Sequence, residues 1–393
     1  MRLLFISSEF PPGPGGISTH AYHLVSHLQK LGWDVAVVTS QNYMSAHQIR
    51  EFNRLQSFPL ESLRAIPFAP FEVFYRLIVL FRWIIGWQPE IILASGSRSV
   101  WLVSWLVKWC RIPWTAIGHG TEFGLAGLEW WLTRRSFEAA SGVVCVSQYT
   151  EQYMLSRGIR VKRSIVIPNG ADENKFGILA PHIIEQFRKS LALEDRRVIL
   201  TVGNVTERKG QDIVIRALPM ILKRVPNTTY LIIGLPTLQE KFARLADDLG
   251  VAEHIRFLGN VSQDNLVRYM NLCDVFVMVS RHTSGEDFEG YGIAVVEAAF
   301  CGKPAVVSAN SGLCEAIVDG RTGIEVPEDE PDRVGQALLR LLEDDERRSK
   351  MGEAARLRAI REQSWAHQVE KYDSFLRDLV AEGKPSTMKE LKL

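Results

Sequence analysis

The chain has 393 residues, a formal net charge of +1 at pH 7, 46% hydrophobic residues and 23% charged residues. This composition is typical of a globular protein and excludes a disordered chain, and the length exceeds what one hydrophobic core usually serves, so we expect two domains. The near-neutral charge, without a basic run interleaved with aromatics, argues against nucleic-acid binding.

The first half of the chain alternates short β-rich runs with helical patterns. The runs lie at residues 3–7, 34–39, 91–95, 115–118, 143–146 and 164–167. Continuous apolar strands separated by helices predict a parallel sheet covered on both faces. We therefore predict a Rossmann-like domain over residues 1–172, because a turn-rich stretch at 167–172 follows the last run.

Two features follow the first run. Glycines at the strand-to-helix turn would let the backbone approach a phosphate at Gly16; the alternative is a plain flexible turn. His20, His23 and His27 share part of one face of the next helix. Because no partnering carboxylate motif is present, we expect surface histidines rather than metal ligands.

Tryptophan is concentrated early in the chain, with nine of the ten residues before position 132. Trp101, Trp105 and Trp109 fall at i, i+4 and i+8 on one face of a predicted helix. One interpretation is an interfacial surface that binds a bilayer, and the other, which we favour, is core packing beneath the sheet. Residues 1–175 contain 17 Lys/Arg and 12 Asp/Glu. This excess would help them meet an anionic acceptor or membrane; the alternative is chance variation of the surface.

Residues 118–122, GHGTE, follow the fourth run at its carboxyl end. His119 lies between two glycines, so we expect it to be exposed. It would hydrogen-bond a sugar hydroxyl without acting as a base. The alternative is that it supports the loop.

A second series of runs lies at residues 198–202, 229–233, 255–258, 275–279, 305–308 and 323–326. It predicts a second domain over residues 173–364, so the fold class is α/β with two Rossmann-like domains facing across a cleft. A linker with a short helix at 181–190 precedes it. The last helix, 365–380, has no strand after it, and we expect it to pack back on the first domain.

Two loops of the second domain indicate a nucleotide-sugar site. Arg208 and Lys209, just ahead of a helix, would neutralise a diphosphate; the alternative is a plain solvated turn. In residues 289–297, EGYGIAVVE, two glycines lead into an apolar helix whose first-turn N–H groups form an anion site. Glu289 beside that site repels phosphate and suits a sugar hydroxyl instead. A glycosidase pair of Glu289 and Glu297 fits this loop-plus-helix placement poorly.

Composition also predicts the compartment. The five cysteines are scattered, without a C-x-x-C pair or zinc spacing, which indicates a reducing cytosol. The N-terminal apolar segment, about five residues, is too short for a signal peptide. No run reaches the roughly 18 apolar residues of a membrane span.

Together these segments resemble the retaining family 4 glycosyltransferases of GT-B fold, over nearly the whole chain and in the same order. The matching motifs are the glycines at 15–16, HGTE at 119–122, VSQYT at 146–150, IPNGAD at 167–172, ERKG at 207–210, EGYGIAVVEAAFCGKPAVVS at 289–308, SGLCEAIVDG at 311–320 and TG at 322–323. The 289–297 segment is the most specific of them.

The resemblance implies transfer of a hexose from a UDP- or GDP-linked sugar to a hydroxyl acceptor, in polysaccharide or glycolipid biosynthesis. The acceptor would bind the N-terminal domain, and the nucleotide the C-terminal domain. Implied donor-binding residues are Gly16, Arg208, Lys209, Gly292, Ile293 and Glu297. His119 and Glu289 would contact the transferred sugar and count as the catalytic residues.

In such enzymes the leaving diphosphate helps remove the acceptor proton, so no protein nucleophile, cofactor or metal is implied. One departure is Asn204, where the family often has a diphosphate-binding arginine; Arg208 would substitute for it. The implied partners are the donor and a saccharide or lipid-linked acceptor, with peripheral contact at the cytoplasmic face of the inner membrane. The alternatives are a sugar-nucleotide epimerase of the same fold and a non-catalytic nucleotide-sugar-binding subunit.

Overall fold

The computed structural model describes residues 1–13, 15–41, 44–66, 69–283 and 288–383. The chain divides into two compact units, here called the N-terminal and C-terminal units. The N-terminal unit is Met1–Pro168 joined by the helix that begins at Trp365, and the C-terminal unit is Asn169–Ser364. The change of unit after Pro168 falls inside the turn-rich stretch at 167–172.

The N-terminal unit is built on a seven-stranded parallel sheet with the order β3-β2-β1-β4-β5-β6-β7. Its strands, numbered along the chain, are β1 Arg2–Ser7, β2 Asp34–Ser40, β3 Leu60–Leu63, β4 Ile91–Ser95, β5 Trp114–Gly118, β6 Gly142–Cys145 and β7 Ser164–Val166. Only the edge strand β3 lacks a counterpart among the predicted runs, because LESL is short and mixed in polarity.

Helices cover both faces of this sheet. They are α1 Gly16–Lys30, α2 Ala46–Arg54, α3 Ala69–Trp87, α4 Ser97–Cys110, α5 Gly127–Ala139, α6 Gln148–Ser156 and α15 Trp365–Gly383. Leu4 and Ile6 of β1 share one core cluster with Leu80 of α3 and Val100 of α4. The crossover from β1 through α1 to β2 and the crossover from β3 through α3 to β4 run in opposite directions along the sheet. Because both are right-handed, α1 lies on the face opposite to that of α3 and α4.

Helix α15 packs beside α1. Trp365 and Tyr372 are completely buried there, and Tyr372 Oη lies 3.1 Å from His20 Nε2. The expectation of surface histidines is therefore wrong for His20 and for His27, which is also buried, and His23 stacks on Trp365. The sequence of α1 alone did not show that a helix more than 330 residues later covers this face.

The tryptophans of α4 also differ from expectation. Trp101 donates from Nε1 to Thr133 Oγ1 at 3.0 Å, but Trp105 is 61% exposed and Trp109 87% exposed. The core-packing interpretation is therefore wrong for these two, because Val100 and Val103 on the opposite side of α4 contact the sheet. None of the helices in the described residues is long and apolar enough to cross a membrane.

The C-terminal unit has a six-stranded parallel sheet in the order β10-β9-β8-β11-β12-β13. Its strands are β8 Arg197–Val202, β9 Thr228–Ile233, β10 Ile255–Gly259, β11 Val275–Met278, β12 Ala305–Ser308 and β13 Gly323–Val326. Its helices are α7 Pro181–Ser190, α8 Gln211–Arg224, α9 Gln239–Asp248, α10 Gln263–Leu272, α11 Ile293–Phe300, α12 Leu313–Ala316, α13 Pro331–Leu342 and α14 Asp345–Glu362.

Both sheets reverse their strand order next to their first strand. The reversal lies between β1 and β4 in the N-terminal unit and between β8 and β11 in the C-terminal unit. Ligands of open α/β sheets bind outside the carboxyl ends of strands at this point. The loops after these four strands are therefore where each unit is expected to bind a ligand.

Candidate active site

The loop after β8 places Arg208 and Lys209 at the switch point of the C-terminal unit. Both lie in a 3₁₀ turn, Glu207–Lys209, that ends at Gly210 with φ of 69°. A Cβ at Gly210 would lie 2.0 Å from the carbonyl oxygen of Val279, just after β11, so only glycine fits. The Arg281 N–H also donates to the Arg208 carbonyl at 2.8 Å. These contacts hold the two cations against the end of β11.

Glu289 pairs with both cations through a single oxygen. Its Oε2 accepts from Arg208 Nη1 at 2.5 Å and from Lys209 Nζ at 2.6 Å. Burial alone would raise the pKa of Glu289, but Lys209 and Arg208 outweigh it and lower that pKa to about 2. The carboxylate is thus ionised at neutral pH and holds the two cations together.

Helix α11 begins beside this cluster. Its N-cap is Gly292, with φ of 85° and no side-chain cap, so the first turn starting at Ile293 is not closed by a capping side chain. A Cβ at Gly292 would also lie 2.4 Å from Leu313 Cδ2. The preceding loop is fastened by the Gly312 N–H, which donates to the Glu289 carbonyl at 3.0 Å. The arrangement presents backbone donors next to two cations, which suits an anion.

Glu297 lies one turn inside the same helix. Burial raises the pKa of its carboxyl to about 7, with Lys175 lowering it and Asp172 raising it by smaller amounts. Near neutral pH it therefore changes between an ionised acceptor and a neutral donor of hydrogen bonds. The structure brings Arg208, Lys209 and Glu289 together, and it places Gly292, Ile293 and Glu297 on the adjoining cap and helix.

Asn204, at the position where the resemblance implied a diphosphate-binding arginine, has a structural role. Its Oδ1 accepts from the Leu235 N–H at 3.3 Å and its carbonyl accepts from Gln211 Nε2 at 3.0 Å. The amide thus ties the end of β8 to the neighbouring loop. The positive charge absent at position 204 is present at Arg208, one residue from Lys209.

The N-terminal unit contains the other two predicted site residues. His119 follows β5, and its Nε2 lies 2.9 Å from Ser95 Oγ at the end of β4. Contrary to expectation it is buried rather than exposed, and burial lowers its pKa to about 4, so the ring is neutral at pH 7. Gly16 begins α1 with no atom within 4 Å of the position that a Cβ would take.

Two residues that the sequence did not single out support His119. One is Ser95, the ring's hydrogen-bond partner. The other is Glu122, whose buried Oε2 accepts from the N–H groups of His119 and Gly120 at 3.1 and 2.9 Å. A carboxylate three residues beyond the histidine, in GHGTE, is the one available signal for this role, since it can reach back to the preceding N–H groups.

The geometry points to a class of protein with two Rossmann-like units, the second of which has an uncapped helix start, two cations and two acidic residues at its switch point. Family models agree with this. "Glycosyltransferase Family 4" matches residues 14–175 and "Glycosyl transferases group 1" matches residues 183–358. The chain therefore belongs to the family 4 glycosyltransferases. A nucleotide-sugar substrate suits the site described above.

Similar proteins include two mycobacterial enzymes, each described as a GDP-mannose-dependent alpha-(1-6)-phosphatidylinositol monomannoside mannosyltransferase. The one from Mycobacterium tuberculosis is 28% identical over 385 residues, covering 96% of this chain and 98% of the relative. The one from Mycolicibacterium smegmatis is 36% identical over 256 residues, covering 65% of this chain and 67% of the relative.

Solved structures show the same fold. Anabaena HepE, in a crystal structure with UDP-glucose, superposes with a TM-score of 0.82 at 19% identity, covering 96% of this chain and all of that one. Sucrose-phosphate synthase from Thermosynechococcus elongatus gives 0.82 at 19% identity, with 97% and 99% covered. The two parallel sheets with alternating helices are thus those of GT-B glycosyltransferases.

Proposed function

We propose that this protein is a retaining mannosyltransferase that uses GDP-mannose and builds a glycolipid. The observation that supports it most is the cluster of Arg208, Lys209 and Glu289 at the open start of α11. It offers both the positive charge that a diphosphate needs and a carboxylate for sugar hydroxyls. The named donor of the mycobacterial relatives, GDP-mannose, supports the choice of base and sugar.

The donor would bind the C-terminal unit through three groups. The N–H groups of Gly292 and Ile293 at the start of α11 would bind the diphosphate. Lys209 and Arg208 would break their ion pairs with Glu289 and would then neutralise the charge of the diphosphate. Glu289, released from its ion pairs, would accept hydrogen bonds from the mannose. Glu297, one turn inside α11, would accept from the ribose hydroxyls.

The N-terminal unit would contribute to transfer rather than to nucleotide binding. His119 is neutral, so it would orient a donor-sugar hydroxyl without moving a proton. Gly16, with open space above it, would let the start of α1 approach the phosphates. The leaving diphosphate would accept the acceptor's proton, so catalysis is positioning and charge stabilisation, without a metal or cofactor.

We also propose that the protein works at the cytoplasmic face of a membrane, in contact with anionic lipid. Five exposed apolar side chains lie along α3, and Trp105 and Trp109 of α4 are exposed as well. The α3 residues are Phe71, Phe74, Ile78, Phe81 and Ile85. The same helices and the C-cap of α4 also present exposed basic side chains: Arg82, Lys108 and Arg111. An aromatic surface with positive charge fits a lipid interface.

The experiment is transfer from radiolabelled GDP-mannose to a lipid extract, with UDP-glucose as the competing donor. We expect label in the organic phase, removed by α-mannosidase because configuration is retained, and undiminished by a metal chelator. His119→Ala should slow transfer but keep GDP binding. Turnover of GDP-mannose without any acceptor would instead favour an epimerase, and binding without turnover a non-catalytic subunit.

A further inference from the structure

The N-terminal unit contains a cavity that no role described above uses. Its volume is about 370 Å³, and its walls come from the loops after β1, β4 and β5 and from the helices α3 and α4. It thus lies at the switch point between β1 and β4, where open α/β sheets bind ligands. The volume falls within the range of roughly 300–1,000 Å³ that is usual for ligand pockets.

One wall of this cavity accepts hydrogen bonds. Glu122 is 1% exposed, and its Oε1 has no hydrogen-bond partner among the described residues, whereas Oε2 is occupied by the His119 loop. Glu9 lies on the same wall, and burial raises the pKa of both carboxyls, that of Glu122 to about 7. A buried carboxyl oxygen without a donor is costly unless a ligand supplies one.

The other wall donates hydrogen bonds and is positive. Arg76 of α3 is 5% exposed; its Nη2 donates to Glu72 Oε1 at 2.7 Å, but its buried Nε has no partner among the described residues. The 14-residue helix α4 starts here from Gly96, with φ of 84° and no side-chain cap. Its first turn adds the exposed Arg98, so backbone donors and a guanidinium occur together.

Gly96 is required for this arrangement. A Cβ at position 96 would lie 1.7 Å from Ser8 Oγ, so only glycine lets the loop after β1 approach the start of α4. The close approach brings the Glu9 side of the cavity next to its positive side. A ligand that fills the cavity therefore meets hydroxyl acceptors on one side and an anion site on the other.

We propose that this cavity binds the acceptor and that the acceptor is a phosphorylated polyol. Its hydroxyls donate to Glu122 and Glu9, and its phosphate binds the start of α4 with Arg98 and Arg76. The inference rests on the proposed glycosyltransferase function and adds the chemical class of its second substrate. A phosphate beside Glu122 would be repelled, so we expect the phosphate to contact the guanidinium groups and the hydroxyls to contact the carboxyls.

The test is isothermal titration of the GDP-saturated protein with inositol 1-phosphate, glycerol 3-phosphate, myo-inositol and inorganic phosphate. We expect a phosphorylated polyol to bind at least about tenfold more tightly than inositol or phosphate alone. Arg98→Gln should weaken that binding about tenfold, and Lys30→Gln, at the far end of α1 and outside the cavity, should not. A parallel titration with vesicles that contain phosphatidylinositol tests whether the ligand is a lipid head group or a soluble molecule. Binding of either the vesicles or a soluble phosphorylated polyol supports the proposed cavity site if Arg98→Gln weakens it.

Glu122→Gln and Glu9→Gln test the hydroxyl wall, and either variant suffices if the other does not fold. Each should weaken the binding of phosphorylated polyol. Equal binding by wild type and Arg98→Gln, or no binding of any phosphorylated polyol or vesicle while GDP still binds, would overturn this inference alone. If the wild-type protein did not bind GDP at all, the proposed function itself would be overturned.

Discussion

At the scale of single residues, the ion pairs of Glu289 make a prediction that separates binding from transfer. Glu289→Gln removes the charge that occupies Arg208 and Lys209 in the ligand-free protein. GDP affinity should therefore be unchanged or higher, because the diphosphate no longer displaces a carboxylate. The kcat for mannose transfer should fall by about 100-fold or more, because the sugar loses a positioning group. Calorimetry and transfer assays measure the two effects separately.

The control is Lys209→Met, which removes a cation and keeps a side chain of similar length. It should weaken GDP binding by about tenfold or more, since a charge-assisted contact is lost. If Glu289→Gln weakened GDP binding as much as Lys209→Met does, Glu289 would be needed for the nucleotide and its assignment to the sugar would be wrong.

Glu297 predicts a pH dependence of nucleotide binding. The pKa of its carboxyl is about 7 in the ligand-free protein, and ribose hydroxyls donate to the ionised form. GDP affinity should therefore rise from about pH 6 to about pH 8. The phosphate of GDP also titrates in this range. The variant Glu297→Gln is the control, because its GDP affinity still depends on titration of the phosphate but no longer on a carboxylate at position 297. A pH dependence identical in the two proteins would contradict the ribose assignment.

The raised pKa also fixes the sign of the effect on folding. A carboxyl whose pKa is higher in the folded state than in the unfolded state destabilises the folded state as it ionises. The contribution of Glu297 to the free energy of unfolding therefore falls as pH rises from about 4.5 to about 7. Glu289 has the opposite sign, because its lowered pKa stabilises the fold above about pH 4.5 and that stabilisation is lost as pH falls through about 2.

At the scale of helices and strands, local pattern predicted most of the fold. Twelve of the thirteen strands found in the described residues correspond to apolar runs, since buried parallel strands are continuously hydrophobic. The strand β3, with its mixed residues, was missed. The start of α11 at Gly292 was readable because a glycine turn and an apolar helix adjoin in sequence.

What pattern did not predict depends on partners distant in the chain. The pairing of Glu289 with Arg208 and Lys209 joins residues 80 or more positions apart. The burial of His20 depends on α15, and the exposure of Trp105 and Trp109 depends on which side of α4 faces the sheet. Both sides of α4 contain apolar residues, so its periodicity did not separate core from surface.

The exposed tryptophans predict membrane binding by α4. Trp105→Ser combined with Trp109→Ser should reduce cosedimentation with anionic vesicles by about tenfold or more, because two large apolar side chains no longer enter the interface. Leu357→Ser combined with Ile360→Ser is the control, since it removes two exposed apolar side chains from α14 of the other unit. Equal losses in the two double variants would contradict a lipid surface on α4.

Helix α15 predicts a stability effect in the N-terminal unit. Phe375 is 2% exposed and packs on Gly142, where a Cβ would lie 2.6 Å from its ring. Phe375→Ala should cost about 3–5 kcal/mol of unfolding free energy through the cavity it leaves. Phe74→Ala, the same substitution at an exposed site, should change stability by no more than about 0.5 kcal/mol. Urea unfolding measures the free energy of unfolding of both variants. If Phe375→Ala lost no more stability than Phe74→Ala, α15 would not stabilise this unit.

At the scale of the whole molecule, two units of similar construction have different chemistry at their switch points. The C-terminal unit presents cations and an open helix start, which suit a diphosphate. The N-terminal unit presents a buried neutral histidine and a cavity lined by the buried Glu122 and the half-buried Glu9. Sequence pattern predicted both units, but not the base and sugar of the donor, because a few pocket contacts decide these; the proposed GDP-mannose rests on the relatives.

The most direct test of this account is a calorimetric titration of the protein with GDP, UDP and ADP. We predict that GDP binds, with UDP and ADP at least about tenfold weaker, and that Lys209→Met weakens GDP binding. A hundredfold excess of GDP over its Kd should also stabilise the fold by about 2.7 kcal/mol. Absence of binding by all three nucleotides would contradict a diphosphate site at the start of α11, and preference for UDP or ADP would contradict GDP-mannose as the donor.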